Sequence, residues 1–376
     1  MTKAVTFDGA APEGTINFGI GQPSADLLPV DLVRQASRSF FEDAQPFELN
    51  YGVTEGDERF LDSLAGFLTK NYGAPTSNSE LFVTGGNSQA LDMVSVVFAN
   101  PGDTVFVEEP SYFLAFQIFR NHGLNIVGIP VDDDGLSVEA LEQELKSHKP
   151  AFLYTIPSYH NPGGQCTTVE RRRRIVELAE EHDFLVVADE VYQLLSYYDA
   201  PPPAYGTMSA SQRVLSLGSF SKILAPGLRL GWIQTSEPLR GQLKSHGFVN
   251  SGGSINHISS LIVRQAIDNG SLESHIQTLQ HHYRSRVEVM DEALHEHFDG
   301  IAKWTRPNGG YFFWLNFDES VDTAPLREKA RGVRAGFQDG SVFSSQGQLG
   351  NCLRLSFAHY GETDIREGIA RLRPLF

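Results

Sequence analysis

The run Ser216–Trp232 reads SLGSFSKILAPGLRLGW. It sets Lys222 beside Ser219 and Ser221 and ahead of a Pro226-Gly227 turn, with Arg229 seven residues downstream. A lysine on a solvated helix needs no explanation; one among hydroxyls, small residues and an apolar run is positioned. Such an amine suits catalysis only if burial or nearby positive charge lowers its pKa. Gly85-Gly86-Asn87-Ser88 is a second candidate. Small residues ahead of a helix let backbone N–H groups approach an anion, and the helix N-terminus favours negative charge. Glycine turns before helices are also common without any ligand. Asp189 closes the apolar run FLVVA, where an unpaired carboxylate is costly; a helix cap or a structural ion pair is the alternative. Asn161, in HNPGG, follows a strand and can be simply a turn residue. Tyr192 is one helical turn beyond Asp189, so the two can share a face.

The elements that must position these residues alternate from about residue 80 to 235. LFVTGG is a strand running into a glycine turn, and SQALDMVSVVFAN has helical apolar spacing at Leu91, Val94 and Phe98. TVFVEE, NIVGIPV, AFLYTI, FLVVADE and RVLSLGS read as further strands, with SYFLAFQIFRNHG a helix between the first two. This alternation predicts an α/β fold: a mostly parallel sheet covered by helices, with ligands at the carboxyl ends of its strands. Beyond residue 235 the texture changes. Leu279, Tyr283, Val287, Met290, Leu294 and Phe298 fall on one helical face, and strand-like GGYFFWLNF and CLRLSFA follow. A smaller α+β C-terminal domain is the natural reading. The expected division is residues 1–45 as an N-terminal segment packing with the small domain, 46–275 as the large domain and 276–376 as the small one.

Bulk properties exclude several classes. The chain has 376 residues, 41% hydrophobic, too apolar for a disordered chain and long enough for more than one core. A formal net charge of −16 argues against nucleic-acid binding. No run of eighteen apolar residues suggests a membrane helix. Nor does the N-terminus show a basic region followed by an apolar segment, so no secretory signal is expected. Two cysteines, Cys166 and Cys352, point to a reducing, cytoplasmic setting and are too few for a zinc site of usual spacing. The basic run Arg171–Arg174 opens an amphipathic helix with Ile175, Leu178 and Ala179 inward, and reads as its solvated face.

Taken in order, Gly-Gly-Asn-Ser, Tyr112, Asn161, Asp189, Tyr192, Ser219-x-Ser221-Lys222, Arg229 and Arg354 resemble the class I/II aminotransferases. These belong to the fold-type I enzymes that use pyridoxal 5'-phosphate (PLP). The resemblance runs from INFGIGQPS to CLRLSFA, most specifically through ADEVY and SFSKILAPGLRLGW, then EEPSY and PNGGYFFW. Its flavour is that of the 2-aminoadipate and aromatic aminotransferases.

The resemblance implies a role for each residue. Lys222 would form the Schiff base with PLP and, once displaced, carry the 1,3-proton shift as general base. Asp189 would pair with the pyridine nitrogen. Asn161 and Tyr192 would hydrogen-bond the ring's phenolic oxygen, and Tyr112 would stack on the ring. The backbone around Gly86, Asn87 and Ser88, with Ser219, Ser221 and Arg229, would hold the phosphate. Tyr51, in LNYG, would reach the phosphate from a second copy, making the active site at a homodimer interface. Arg354 would grip the substrate α-carboxylate, helped by the backbone of Gly21 and by Asn161. The expected partners are an amino acid and a 2-oxo acid.

Three departures stand out. Asn161-Pro162-Gly163-Gly164 replaces the common Asn-Pro-Thr-Gly, losing a side-chain contact. GGNSQAL stands where a Gly-Ser-Gln-Gln pattern is usual, so side-chain contacts to phosphate are open there. No winged-helix segment precedes the domain, which speaks against a fused regulator. A PLP-dependent carbon–sulfur β-lyase and a non-catalytic ligand-sensing domain are the alternatives. Phe18, Tyr311 and Phe312 line an apolar substrate pocket or sit in the core.

Overall fold

A computed structural model describes residues 14–376; residues 1–13 of the N-terminal segment lie outside the described residues. The strands are β1 (Ile16–Asn17), β2 (Leu81–Thr84), β3 (Thr104–Glu109), β4 (Asn125–Asp132), β5 (Gly135–Leu136), β6 (Pro150–Thr155) and β7 (Leu185–Asp189). They continue as β8 (Val214–Ser219), β9 (Gly231–Thr235), β10 (Ala302–Lys303), β11 (Phe312–Phe317), β12 (Ala335–Gly336), β13 (Gln338–Asp339) and β14 (Cys352–Ser356).

The eight-stranded sheet has the order β2-β9-β8-β7-β6-β3-β4-β5. Strands β8, β7, β6, β3 and β4 run parallel. The apolar residues of β7 and β8 are all buried, as expected when helices cover both faces, while Ile126, Val127 and Val131 of the outer β4 are only partly so. The alternation in the sequence therefore corresponds to a largely parallel α/β sheet. Two strands break the rule. The short edge strand β5 lies antiparallel to β4. β9 lies antiparallel between β2 and β8, and the sequence pattern did not mark it. An antiparallel strand begins where its neighbours end, so residues just before β9 join the sheet's carboxyl edge.

The helix Val169–His182 starts at Thr168, whose hydroxyl accepts from the Arg171 N–H, and ends at Asp183 in the left-handed region. Ile175, Leu178 and Ala179 are buried as the spacing predicts. The basic run is not wholly a solvated face, however. Arg172 is 0% exposed. Its guanidinium donates to the carbonyls of Pro157 (2.7 Å) and Pro203 (2.9 Å) and lies 3.7 Å from Glu190. A buried carboxylate beneath the helix draws in the one arginine whose position points inward.

The long helix Ser271–Phe298 leads to a second, four-stranded antiparallel sheet, β10-β11-β14-β13. β1 pairs in parallel with β12, tying residues 16–17 to this C-terminal part. The helix Val30–Asp43 packs instead against the helix His257–Asp268. Among the described residues, no helix is long and apolar enough to cross a membrane.

Candidate active site

The carboxyl edge of the large sheet gathers the candidates. Asp189 ends β7, Ser219 ends β8, and the Gly85–Ser88 turn follows β2. Tyr112 follows β3, and Asn161 follows β6. Arg229 precedes β9, whose reversed direction brings it to the same edge. Arg354 comes from elsewhere, the middle of β14 in the small sheet, paired with Trp314 and Gln338. The site therefore lies between the two sheets.

Lys222 is half-buried, and its Nζ donates to the carbonyl of Gly21 at 2.9 Å. Burial, and then the positive charge of Arg354, push its pKa down to about 8; the Asp189 carboxylate works against that fall. Gly21 packs close against the site, so a side chain there would press on Phe312. A Cβ there would stand 3.2 Å from the Phe312 ring and 3.7 Å from the Arg354 guanidinium.

Asp189 is buried and accepts from Asn87 Nδ2 at 2.6 Å and from the Tyr154 hydroxyl at 2.9 Å. Burial raises its pKa. The helix cap and the structural ion pair both fail as explanations: the segment after Asp189 is a turn, and among the described residues no cation lies within ion-pair distance. The same turn corrects the expectation of a helix joining Asp189 to Tyr192. Tyr192 is buried in that turn, its ring 5.3 Å from Tyr311, and burial raises its pKa strongly. Tyr112 stands close enough to Asp189, Arg354 and Arg229 to feel all three; burial first, then Asp189, pushes it up to about 12.

Arg354 is almost fully buried. It donates to Asn161 Oδ1 at 2.9 Å and to the Gly19 carbonyl at 3.0 Å. Its guanidinium lies over Phe312 and Phe343, and its Nε has no partner among the described residues. No carboxylate pairs with it there, and burial pushes its pKa down to about 10.

Gly86 precedes the helix Asn87–Phe98 with φ +86°, a conformation that a side chain would strain. Arg229 sits over this turn and donates to the Gly85 carbonyl at 3.0 Å. Ser88 is exposed at the helix start. Ser219 Oγ lies 3.0 Å from Ser221 Oγ and accepts from the Ser221 N–H at 3.1 Å. The hydroxyls, the helix N-terminus and the guanidinium thus surround one spot suited to a dianion.

Some placements differ from the sequence reading. Tyr51 is 84% exposed and is not brought to the site within one chain. Phe18 is core, packed edge-on to Tyr360. Phe312 is buried, with the Arg354 guanidinium over its ring. Sequence reasoning missed Tyr154, Phe343 and the side-chain role of Asn87. Only Asn87 carried a signal, as a departure from the usual loop.

The donor set fits PLP. A buried carboxylate without a cation suits a protonated ring nitrogen, and a depressed amine suits an aldehyde. A buried arginine without a carboxylate suits an α-carboxylate. Fold and site together define a PLP-dependent transferase with a large parallel-sheet domain and a small domain. The family model for aminotransferase class I and II matches residues 13–372, and the chain belongs to that family of PLP-dependent enzymes. It is 35% identical to aromatic-amino-acid aminotransferase 1 of Thermococcus litoralis, over 95% of this chain and 87% of that protein. The crystal structure of the kynurenine aminotransferase of Pyrococcus horikoshii, in complex with PMP, is similar at a TM-score of 0.90. It shares 33% identity over 96% of this chain and 90% of that one. The α-aminoadipate aminotransferase LysN of Thermus thermophilus, complexed with N-(5'-phosphopyridoxyl)-L-leucine, has a TM-score of 0.88. It shares 29% identity, with 96% and 92% covered.

Proposed function

We propose that this aminotransferase moves an amino group from an aromatic or 2-aminoadipate-like amino acid to a 2-oxo acid such as 2-oxoglutarate. PLP, when bound, supplies an aldehyde that takes up the amino group and a ring that draws electrons from the α-carbon. Lys222 anchors the cofactor and, when freed, takes the proton from the α-carbon of the bound amino acid. Asp189 keeps the ring nitrogen protonated. Asn161 and Tyr192 hold the phenolic oxygen, and Tyr112 covers the ring face. Gly86, Asn87 and Ser88 offer backbone N–H groups to the phosphate, together with Ser219, Ser221 and Arg229. Arg354 and the Gly21 backbone orient the substrate carboxylate, with Asn161 fixing the guanidinium.

The observation that carries this reading is one amine flanked by two buried, opposite charges, Asp189 and Arg354, neither ion-paired among the described residues. The names of the relatives support aromatic and aminoadipate-type donors. We place the enzyme in the cytoplasm, consistent with its two free thiols. We read it as a homodimer, because Phe47, Leu49, Tyr51 and Val53, close together in the chain, are all exposed. Tyr51 would reach the phosphate of a second copy.

The test is a screen of amino donors against the PLP form, without and then with 2-oxoglutarate. Loss of the yellow band with each productive donor, and its return on adding the oxo acid, is expected. Release of pyruvate and ammonia from a cysteine conjugate would favour a lyase. Binding without turnover would favour a sensor.

A further inference from the structure

The loop GGNSQAL departs from the usual pattern at Asn87, and the structure gives that residue two attachments. Asn87 opens the helix Asn87–Phe98, so its backbone belongs to the phosphate end of the site. Its side chain reaches the other end. Nδ2 donates to Asp189 Oδ1 at 2.6 Å and to the Leu217 carbonyl at 3.2 Å. The amide can sit only this way round. Flipped, its oxygen would face a carboxylate and a carbonyl, neither of which donates.

The second carboxylate oxygen is held as well. Tyr154 pairs across the sheet with Val187, two residues from Asp189, so the two side chains share a face. The Tyr154 hydroxyl donates its single proton to Asp189 Oδ2 at 2.9 Å. Asn87, Tyr154 and Asp189 are all buried. Both donors are neutral. They favour the ionised carboxylate against the pull of burial but leave its charge uncompensated. An arginine in either place would have neutralised the charge and competed with a cationic ligand.

We propose that Asn87 and Tyr154 are positioning residues, a pair of neutral donors that hold one oxygen each of Asp189 and leave the carboxylate oriented for a protonated heteroaromatic nitrogen. Through Asn87 the pair also ties the ring-nitrogen end of the cofactor site to its phosphate end. The proposal rests on the reading of Asp189 as the ring-nitrogen partner.

The test strips the holoenzyme of cofactor and titrates it with PLP and with 1-deazapyridoxal 5'-phosphate, whose ring carries CH in place of nitrogen. Asn87→Ala and Tyr154→Phe are each expected to weaken PLP about tenfold, the loss of one hydrogen bond to a charged group. The deaza analogue should move by less than about twofold, because it makes no demand on Asp189. Asp189→Asn should abolish the preference for PLP, and adding Asn87→Ala to it should change nothing further. Equal weakening of both ligands, or no change for PLP, overturns the proposal. If Asp189→Asn keeps the preference, the reading of Asp189 fails and the clamp with it. If Asp189→Asn loses the preference while both clamp variants keep it, the clamp alone fails. Tyr154→Phe keeps the ring in place, so it decides the matter even if Asn87→Ala does not fold.

Discussion

The guanidinium carbon of Arg354 lies 4.0 Å from the centre of the Phe312 ring and 4.9 Å from that of Phe343. Two aromatic rings lie against the planar cation, and Asn161 and Gly19 fix its rotation. Lysine can reproduce the charge but neither the plane nor the fork. Arg354→Lys is therefore expected to lower kcat/KM for amino acids about 10²-fold or more, mostly through KM. Amines lacking an α-carboxylate should lose much less. Equal losses for both substrate types would remove Arg354 from carboxylate recognition.

Lys222→Ala should abolish transamination while some non-covalent PLP binding persists through Arg229 and Asp189. Borohydride reduction of the PLP-loaded wild type should fix the cofactor at position 222, and mass spectrometry of the peptides would show it. Full activity in the alanine variant would refute the assignment.

The pH response of Lys222 has a definite sign. Its folded pKa of about 8 lies below the ordinary 10.5 because burial and Arg354 disfavour the charged amine. The neutral, reactive form therefore becomes dominant as pH rises through about 8. In cofactor-free protein, acylation of Lys222 by a small amine-selective reagent should follow that midpoint. The same shift affects stability. Between about 8 and 10.5 the unfolded chain binds the extra proton, so this group's penalty on the native state shrinks as pH rises. A labelling midpoint near 10.5 would show an amine that is not desolvated.

Arg172 tests the fold rather than the chemistry. It neutralises Glu190, whose carboxylate also accepts from Ser216 Oγ (2.5 Å) and the Tyr205 N–H (2.8 Å). Burial raises the Glu190 pKa against these partners. Arg172→Ala leaves that charge buried without its counter-ion, and should lower the stability of the protein by about 3–5 kcal/mol in urea unfolding. Adding Glu190→Gln should recover part of the loss. An unchanged midpoint in the single variant would show that Glu190 is neutral in the native state.

The exposed run Phe47, Leu49, Tyr51 and Val53 predicts self-association. Leu49→Glu should shift the protein toward monomer in sedimentation and weaken PLP retention, because Tyr51 would no longer meet a second site. A wild type that sediments as a monomer at micromolar concentration would dismiss the shared-site arrangement.

Much of the site was legible because PLP chemistry constrains residue types and order strongly. Lys222, Arg229 and the two serines share one short loop, so sequence proximity alone places them together. Asp189 stood out because a carboxylate at the end of an apolar strand needs a reason to be there. Arg172 shows the limit of such reasoning. Four consecutive arginines look alike in one dimension, and only the carboxylate beneath the helix selects which is buried. Tyr154 was invisible because a tyrosine in an apolar strand is ordinarily core, and nothing local says that its hydroxyl meets Asp189.

By itself the sequence determined the alternation of strands and helices, the reactive lysine and the resemblance to a cofactor family, since these depend on periodicity and short-range order. The tertiary structure decided three things: the antiparallel β9 that carries Arg229 to the working edge, the two aromatic rings against Arg354 and the two donors on Asp189. Each depends on groups far apart in the chain that meet only when the sheets form. Hydrogen bonds and ring contacts act over a few ångströms of space, and distance along the chain does not record them.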